Sequence, residues 1–173
     1  SGETKWVESW SKTIMLENGP ADFATMIDIT KRKAAEAALR ESEEKYRLIA
    51  ENTSDFIGIT DTQGTYLYAT PSHARYLGYD VESMIGRPGG FIIHPDDDER
   101  VARALAPFYD RKRIQEWLER GESVPPITVE YRVRDNHGGW HHIETIVHLI
   151  TDPHGEEHRV IHIGRDITQR IRD

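Results

Sequence analysis

Histidines crowd one short stretch, among them His141, His142, His148, His158 and His162, and such a density raises the question of a metal site. A metal needs its ligands to converge, as a His-x-x-x-His pair on one helix face or as a closed set of about four donors. Here they ride on strands that alternate. His142 and His148 share the outward parity, and His141 shares the inward parity but stands at the start of its strand. These are solvated strand histidines, and no metal ligand set is expected. The run His94-Pro95-Asp96-Asp97-Asp98 raises acid–base or cation chemistry. A proline in the first turn and carboxylates at the positive end also describe a helix N-terminus that needs no ligand. There is no Gly-x-Ser-x-Gly, no phosphate-cradling glycine loop, no paired-carboxylate constellation and no kinase catalytic block, so no catalytic residue is expected. With no cysteine, disulfides, thiolate metal sites and cysteine nucleophiles are excluded.

The elements that must position these residues centre on Ile127 to Thr168. Three β-runs are separated by turn signals at Asp135 to Gly139 and Asp152 to Gly155. Ile127, Val129, Tyr131 and Val133 alternate with Thr128, Glu130, Arg132 and Arg134, the period of a half-buried strand. The second run puts Ile143, Thr145, Val147 and Leu149 on one face. The third, Arg159 to Arg165, is apolar on both faces, which predicts cover on both. This antiparallel meander needs a lid, supplied by helices around Pro95 to Leu105 and Tyr109 to Arg120, with Pro107 expected to interrupt the first.

The pattern occurs a second time near the N-terminus. Lys5 to Arg32 holds a hairpin whose Trp6 is matched with Trp140 and whose Asp28-Ile29-Thr30-Lys31-Arg32 matches Asp166-Ile167-Thr168-Gln169-Arg170. The shared D-I-T-x-R motifs lie 138 residues apart, a tandem-domain spacing rather than a solenoid repeat. The expected organisation is the last hairpin of one domain over residues 1–30, a helical linker over 31–51, a whole domain over 52–170 and the start of another linker at 171–173, as a piece of a longer protein. Trp6, Trp10, Ile14, Phe23, Met26 and Ile27 of the hairpin would then pack on strands outside this chain. The linker is rich in strong helix formers, and Thr30 is expected to cap it through its hydroxyl. Ala35, Leu39, Ser42, Tyr46 and Ile49 follow at heptad-like spacing over two heptads. Two readings stand: a parallel homodimer seam, or an amphipathic helix lying on its own domain.

A formal charge of −8 argues against a nucleic-acid surface. No apolar run approaches the roughly 20 residues of a membrane span, and the fragment is expected to be soluble, cytoplasmic and without membrane contact.

Two short strands, Phe56 to Thr60 and Thr65 to Ala69, short helical turns, a longer helix and three strands make an α+β order. In that order Asp55, Asp61, Gly64, Leu77-Gly78-Tyr79, His94-Pro95-Asp96-Asp97, Glu130-Tyr131-Arg132, Gly139-Trp140, Asp152 to Gly155 and Asp166-Ile167-Thr168 resemble a PAS domain with its PAC motif. The H-P-D-D form resembles the subgroup common in bacterial and archaeal sensor histidine kinases. The resemblance spans about Tyr46 to Arg170. It implies a five-stranded antiparallel sheet with helices over one face, a ligand cavity between them, and helical linkers that carry a signal to a kinase or other output domain. One departure is the region from Ala106 to Pro126, longer than the family's usual pattern.

Strand parity and helical spacing set the expected ligand-binding wall: Tyr131, Val133, Ile143, Thr145 and Val147 from the sheet, with Val129 and Leu149 beside them, and Val101, Leu105, Ile114 and Trp117 from the lid. The resemblance adds the inner face of the last strand, Val160, His162 and Gly164. In the family that strand carries the residue nearest a bound flavin, and Gly164 offers no side chain there. Haem in the family takes a histidine from the long helix, and none lies between Asp96 and Arg120; light-sensing flavin members use a cysteine, absent here. A small organic ligand or no ligand remains. Either an amphipathic molecule meets Tyr131, Thr145 and His162, or these groups satisfy each other around a filled core. Asp28, Thr30, Arg32 and Asp166, Thr168, Arg170 are the expected signal joint. The function expected is a non-catalytic sensory module of a multidomain signalling protein; the alternative is a ligand-free dimerisation spacer.

Overall fold

The computed structural model describes residue 2, residues 4–151 and residues 157–173. The expected turn at Asp152 to Gly155 therefore lies outside the described residues. The chain divides into two units, residues 1–49 and 50–173.

In the first unit β1 (Val7–Leu16) and β2 (Gly19–Asp28) form an antiparallel hairpin. Gly19 closes it at φ +120°, a conformation that suits a residue without Cβ. Parity puts Trp6, Trp10, Ile14, Phe23 and Ile27 on one face, where Trp10 and Phe23 meet edge to face at 6.5 Å. Met26 lies on the other face. α1 (Thr30–Asn52) follows from the run of strong helix formers. No residue of α1 is buried, and Leu39, Tyr46 and Ile49 are each more than half exposed.

The second unit holds β3 (Phe56–Thr60), β4 (Tyr66–Ala69), α2 (Ser72–Leu77), α3 (Val81–Met84), a 3₁₀ turn (Gly89–Ile92), α4 (Pro95–Tyr109), α5 (Arg111–Glu119), β5 (Ile127–Arg134), β6 (Trp140–Ile150), β7 (Arg159–Asp166) and α6 (Thr168–Arg172). Its five strands are antiparallel in the order β4-β3-β7-β6-β5, which is the PAS-like sheet expected. β7 lies at the centre because β3 pairs on its free edge. The inner face is covered in two patches. Phe56, Val133 and Ile143 pack with Leu77 of α2 and Ile92 of the 3₁₀ turn. Val147 and Val160 pack with Phe108 of α4, Ile114 of α5 and Val124.

Two expectations change here. Pro107 does not interrupt α4, which runs on to Tyr109. A proline in the last turn removes one backbone donor, and the helix stops only where Asp110 leaves helical geometry, accepts a hydrogen bond from the Arg113 amide and starts α5. The outer face of β7 is less covered than its composition predicts: Ile161 and Ile163 are half-buried, and their neighbour Ile146 on β6 is 42% exposed. No described helix is long and apolar enough to cross a membrane.

Candidate functional site

Parity along β3 turns Phe56, Gly58 and Thr60 inward, opposite Gly164, His162 and Val160 of β7. Tyr66 of β4 swings across this row because Gly58 lets it; a Cβ there would stand 2.8 Å from the Tyr66 ring. α4 passes over the same strands with Val101, Ala102, Leu105 and Tyr109 facing them. Between helix and sheet lies a cavity of about 310 Å³, walled also by Tyr131, His162 and the Pro88-Gly89-Gly90 segment, with Gln63, Gly64 and Asp98 in its lining. This volume falls at the lower end for small-molecule sites.

The polar groups of the wall form two sets. The Tyr109 hydroxyl lies 3.0 Å from His162 Nε2, and Thr60 Oγ1 is 3.4 Å from each. Thr145 donates to the Tyr131 hydroxyl at 3.1 Å, which leaves the tyrosine its own hydrogen to offer. Burial depresses His162 to about 4, so the imidazole is neutral near pH 7. Burial also raises Tyr66, Tyr109 and Tyr131, a rise that hydrogen bonds with Thr60 and Thr145 only partly offset for the last two.

Of the wall expected from sequence, Val101, Leu105, Tyr131 and His162 line this cavity. Val133, Ile143, Thr145 and Gly164 line, with Tyr131 and His162, a smaller chamber of about 30 Å³, room for little more than one water. Gly164 belongs there for packing: a Cβ would meet Ile143 Cγ2 at 2.9 Å and Thr145 Oγ1 at 3.2 Å. Val147 and Trp117 line neither chamber, which corrects the expectation. The segment from Ala106 to Pro126, longer than the family's usual pattern, folds back as α5, and its Ile114 and Trp117 plug the end of the sheet with Phe108, Val147 and Leu149. Thr60, Tyr66 and Tyr109 were missed as wall residues, although the alternation of Phe56, Gly58 and Thr60 was a usable signal.

Where the sheet ends, the chain leaves through a joint built twice with the same contacts. In the second unit the Asp166 carboxylate accepts the Thr168 amide at 2.8 Å, and the Thr168 hydroxyl accepts the His142 amide at 2.8 Å. The Ile167 amide donates to the His142 carbonyl, and Arg170 reaches Glu144 at 3.5 Å. In the first unit Asp28 accepts the Thr30 amide at 2.9 Å, and Thr30 accepts the Trp6 amide at 2.9 Å. Ile29 donates to the Trp6 carbonyl, and Arg32 reaches Glu8 at 3.3 Å. Two corrections follow. The Thr30 hydroxyl does not cap α1; it ties the neighbouring strand, and Asp28 takes the helix amide instead. Trp6 stands in the place of His142, not Trp140, so the apolar face of the hairpin corresponds to the outward face of β6 and β7 rather than to the face that buries a core.

A basic side chain also meets the aspartate in both copies: Lys5 lies 3.6 Å from Asp28, and His141 Nδ1 lies 2.9 Å from Asp166. His141 Nε2 lies 3.0 Å from Asp135 as well. Burial disfavours the imidazolium, but the two carboxylates outweigh it and raise His141. His141 and the Gly139 amide hold Asp135 below the ordinary carboxylate range. Burial pushes Asp166 up, and the Thr168 and His141 contacts bring it down on balance. The histidine stretch thus scatters: His141 to this pair, His162 to the cavity, His142 and His148 to the outer face. At the same end of the sheet, along its β5 edge, His94 Nδ1 accepts the Asp96 amide and caps α4. Asp97 instead grips the Arg132 guanidinium at 2.9 and 3.1 Å and its amide at 2.9 Å, bracing α4 against β5.

A family profile described as PAS fold matches residues 66–163. An uncharacterized protein of Sinorhizobium fredii, y4lL, is 29% identical over 80% of the chain, which spans 16% of that relative. Sporulation kinase A of Bacillus subtilis is 26% identical over 60% of the chain, 17% of its own length. The chain therefore covers only a small part of these curated relatives. Among solved structures, the PAS domain of an HTR-like protein from Haloarcula marismortui superposes with a TM-score of 0.62 at 24% identity, covering 78% of this chain and 99% of that one. A sensory box histidine kinase/response regulator from Burkholderia thailandensis gives 0.52 at 25% identity, covering 75% and 88%.

Proposed function

The chain belongs to the PAS fold family and is a sensory, signal-transducing module, and from that premise we propose that a small organic molecule in the cavity under α4 is its input and the strand-to-helix joint its output. One observation carries this reading: β7 holds both ends. His162 lines the cavity, and Asp166, four residues on in the same strand, builds the joint. Four strand residues span about 13 Å, so a ligand that repositions His162 acts directly on the segment that aims the departing chain.

The parent protein is proposed to be a cytoplasmic sensor histidine kinase with its catalysis in other domains. The kinase names among the relatives support this, as does His94-Pro95-Asp96-Asp97, the form common in such sensors. Residues 1–30 are read as the last hairpin of a preceding PAS domain, supported by the duplicated joint contacts, and α1 as the linker through which two copies pair. Native mass spectrometry of the purified protein tests the input. A small-molecule adduct is expected, and it should vanish in Ala102→Trp, where an indole enters the cavity from an exposed helix position. An adduct that survives Ala102→Trp would overturn the assignment.

The ligand-free spacer is the second reading, favoured by the nearly filled smaller chamber and the Thr145–Tyr131 hydrogen bond. It predicts the bare polypeptide mass under all gentle conditions.

A further inference from the structure

The cavity also has a charge preference, and we propose that its ligand is a small molecule whose polar end is cationic or neutral, with carboxylates and phosphates turned away. This rests on the cavity being the input site.

Among the described residues no lysine or arginine lines the cavity. The nearby cations are committed elsewhere. Arg87, next to the Pro88–Gly90 wall, lies over the Phe91 ring at 4.1 Å. Arg100 donates to the Glu130 carbonyl at 2.7 Å and faces Asp97, Arg103 pairs with Glu99, and Arg132 is held by Asp97. Inside, the wall offers His162, neutral because it is buried, and tyrosine hydroxyls whose burial keeps them protonated. An anion entering here would lose its hydration with no cation to meet.

The lining group that carries charge is Asp98. It sits beside Gly90, where an added Cβ would come within 3.9 Å of its Oδ1, and no ion pair joins it to a described cation. The α4 N-terminus would by itself favour an anion, but Asp96, Asp97 and Asp98 already occupy that turn. A cationic end group therefore meets one unpaired carboxylate and a wall that includes Tyr66, Tyr109 and Tyr131. A neutral end group meets the hydroxyls, including the hydrogen that Tyr131 retains.

Tryptamine, tryptophol and indole-3-acetate share a ring and differ in end-group charge. Each is titrated into the whole chain and into Asp98→Asn at near-physiological salt, followed by NMR at Tyr109 and His162. Tryptamine is expected to bind on the order of five- to tenfold more tightly than indole-3-acetate. It should lose its advantage over tryptophol in Asp98→Asn, while tryptophol binds both proteins alike. The salt and this control remove any general attraction of cations to the acidic chain. Indole-3-acetate binding as tightly as tryptamine, or discrimination that survives Asp98→Asn, overturns the charge preference and leaves the cavity reading standing. If none of the three perturbs the cavity signals, the input-site reading fails and the inference falls with it.

Discussion

His141 and His162 lie on adjacent strands and respond to protons in opposite senses. His141 is raised above its unfolded value of about 6.5. Its contribution to stability is therefore complete below pH 6.5 and is lost as pH rises through the raised value. Its partners Asp135 and Asp166 are depressed, so their share is present above about pH 3.8 and lost as pH falls further. His162, depressed to about 4, behaves conversely: acidification from 6.5 toward 4 protonates the unfolded chain but not the folded one, and stability falls. Thermal melts across pH should peak near 6.5. His141→Ala should flatten the alkaline limb, and His162→Leu should shallow the acid limb, where buried His73 also contributes. An alkaline limb unchanged in His141→Ala would remove the double-carboxylate pair from the account. Neither behaviour was legible in the sequence. Parity gave His141 an inward side, but only the turn that brings back Asp135 and the sheet end that presents Asp166 give it two partners.

The joint is held by short hydrogen bonds, with Ile167 buried between them in the second unit, and its aspartate acts on direction more than on stability. Losing the Asp166 carboxylate removes the cap-like bond to the Thr168 amide, about 1 kcal/mol, and one of the two carboxylates facing His141, and the fold should survive. Asp166→Ala is expected to leave the melting curve of the second unit little changed while the Thr168 amide exchanges markedly faster with solvent. A full-length protein carrying the change should signal abnormally, and normal signalling would remove the joint from the relay. This element was largely legible, because D-I-T-x-R recurs as a motif. Its interior was not: matching Trp6 to Trp140 followed residue identity, whereas the hydrogen bonds fix register, and register puts Trp6 with His142. β5 coincides with the alternation Ile127 to Arg134 because an eight-residue period-two run admits one reading. α5 as a plug was illegible because its apolar stripe suits a cavity wall and a filled corner equally.

At the scale of the molecule, the two units repeat one construction with different content. In the second, the inward face of β6 and β7 carries Ile143, Val147 and Val160; in the first, the corresponding places hold Val7, Ser11 and Asp22. α1 leaves Ala35, Leu39, Tyr46 and Ile49 exposed, the residues through which pairing is proposed. Leu39→Glu should shift sedimentation toward monomer, and an unchanged association state would reject pairing through α1. The fold was legible from the ordered motifs; the chamber sizes were not, since they depend on how far α4 stands off the sheet. The hydrogen-bonded start of α1 has a further consequence. A helix clamped at its first residue behaves as a shaft of fixed pitch: 23 residues make about 34 Å, and every added residue turns whatever follows by about 100°. Seven added residues fall only about 20° short of two full revolutions, so a heptad spliced into α1 should preserve output in the full-length protein. Two added residues would point the far end almost backwards.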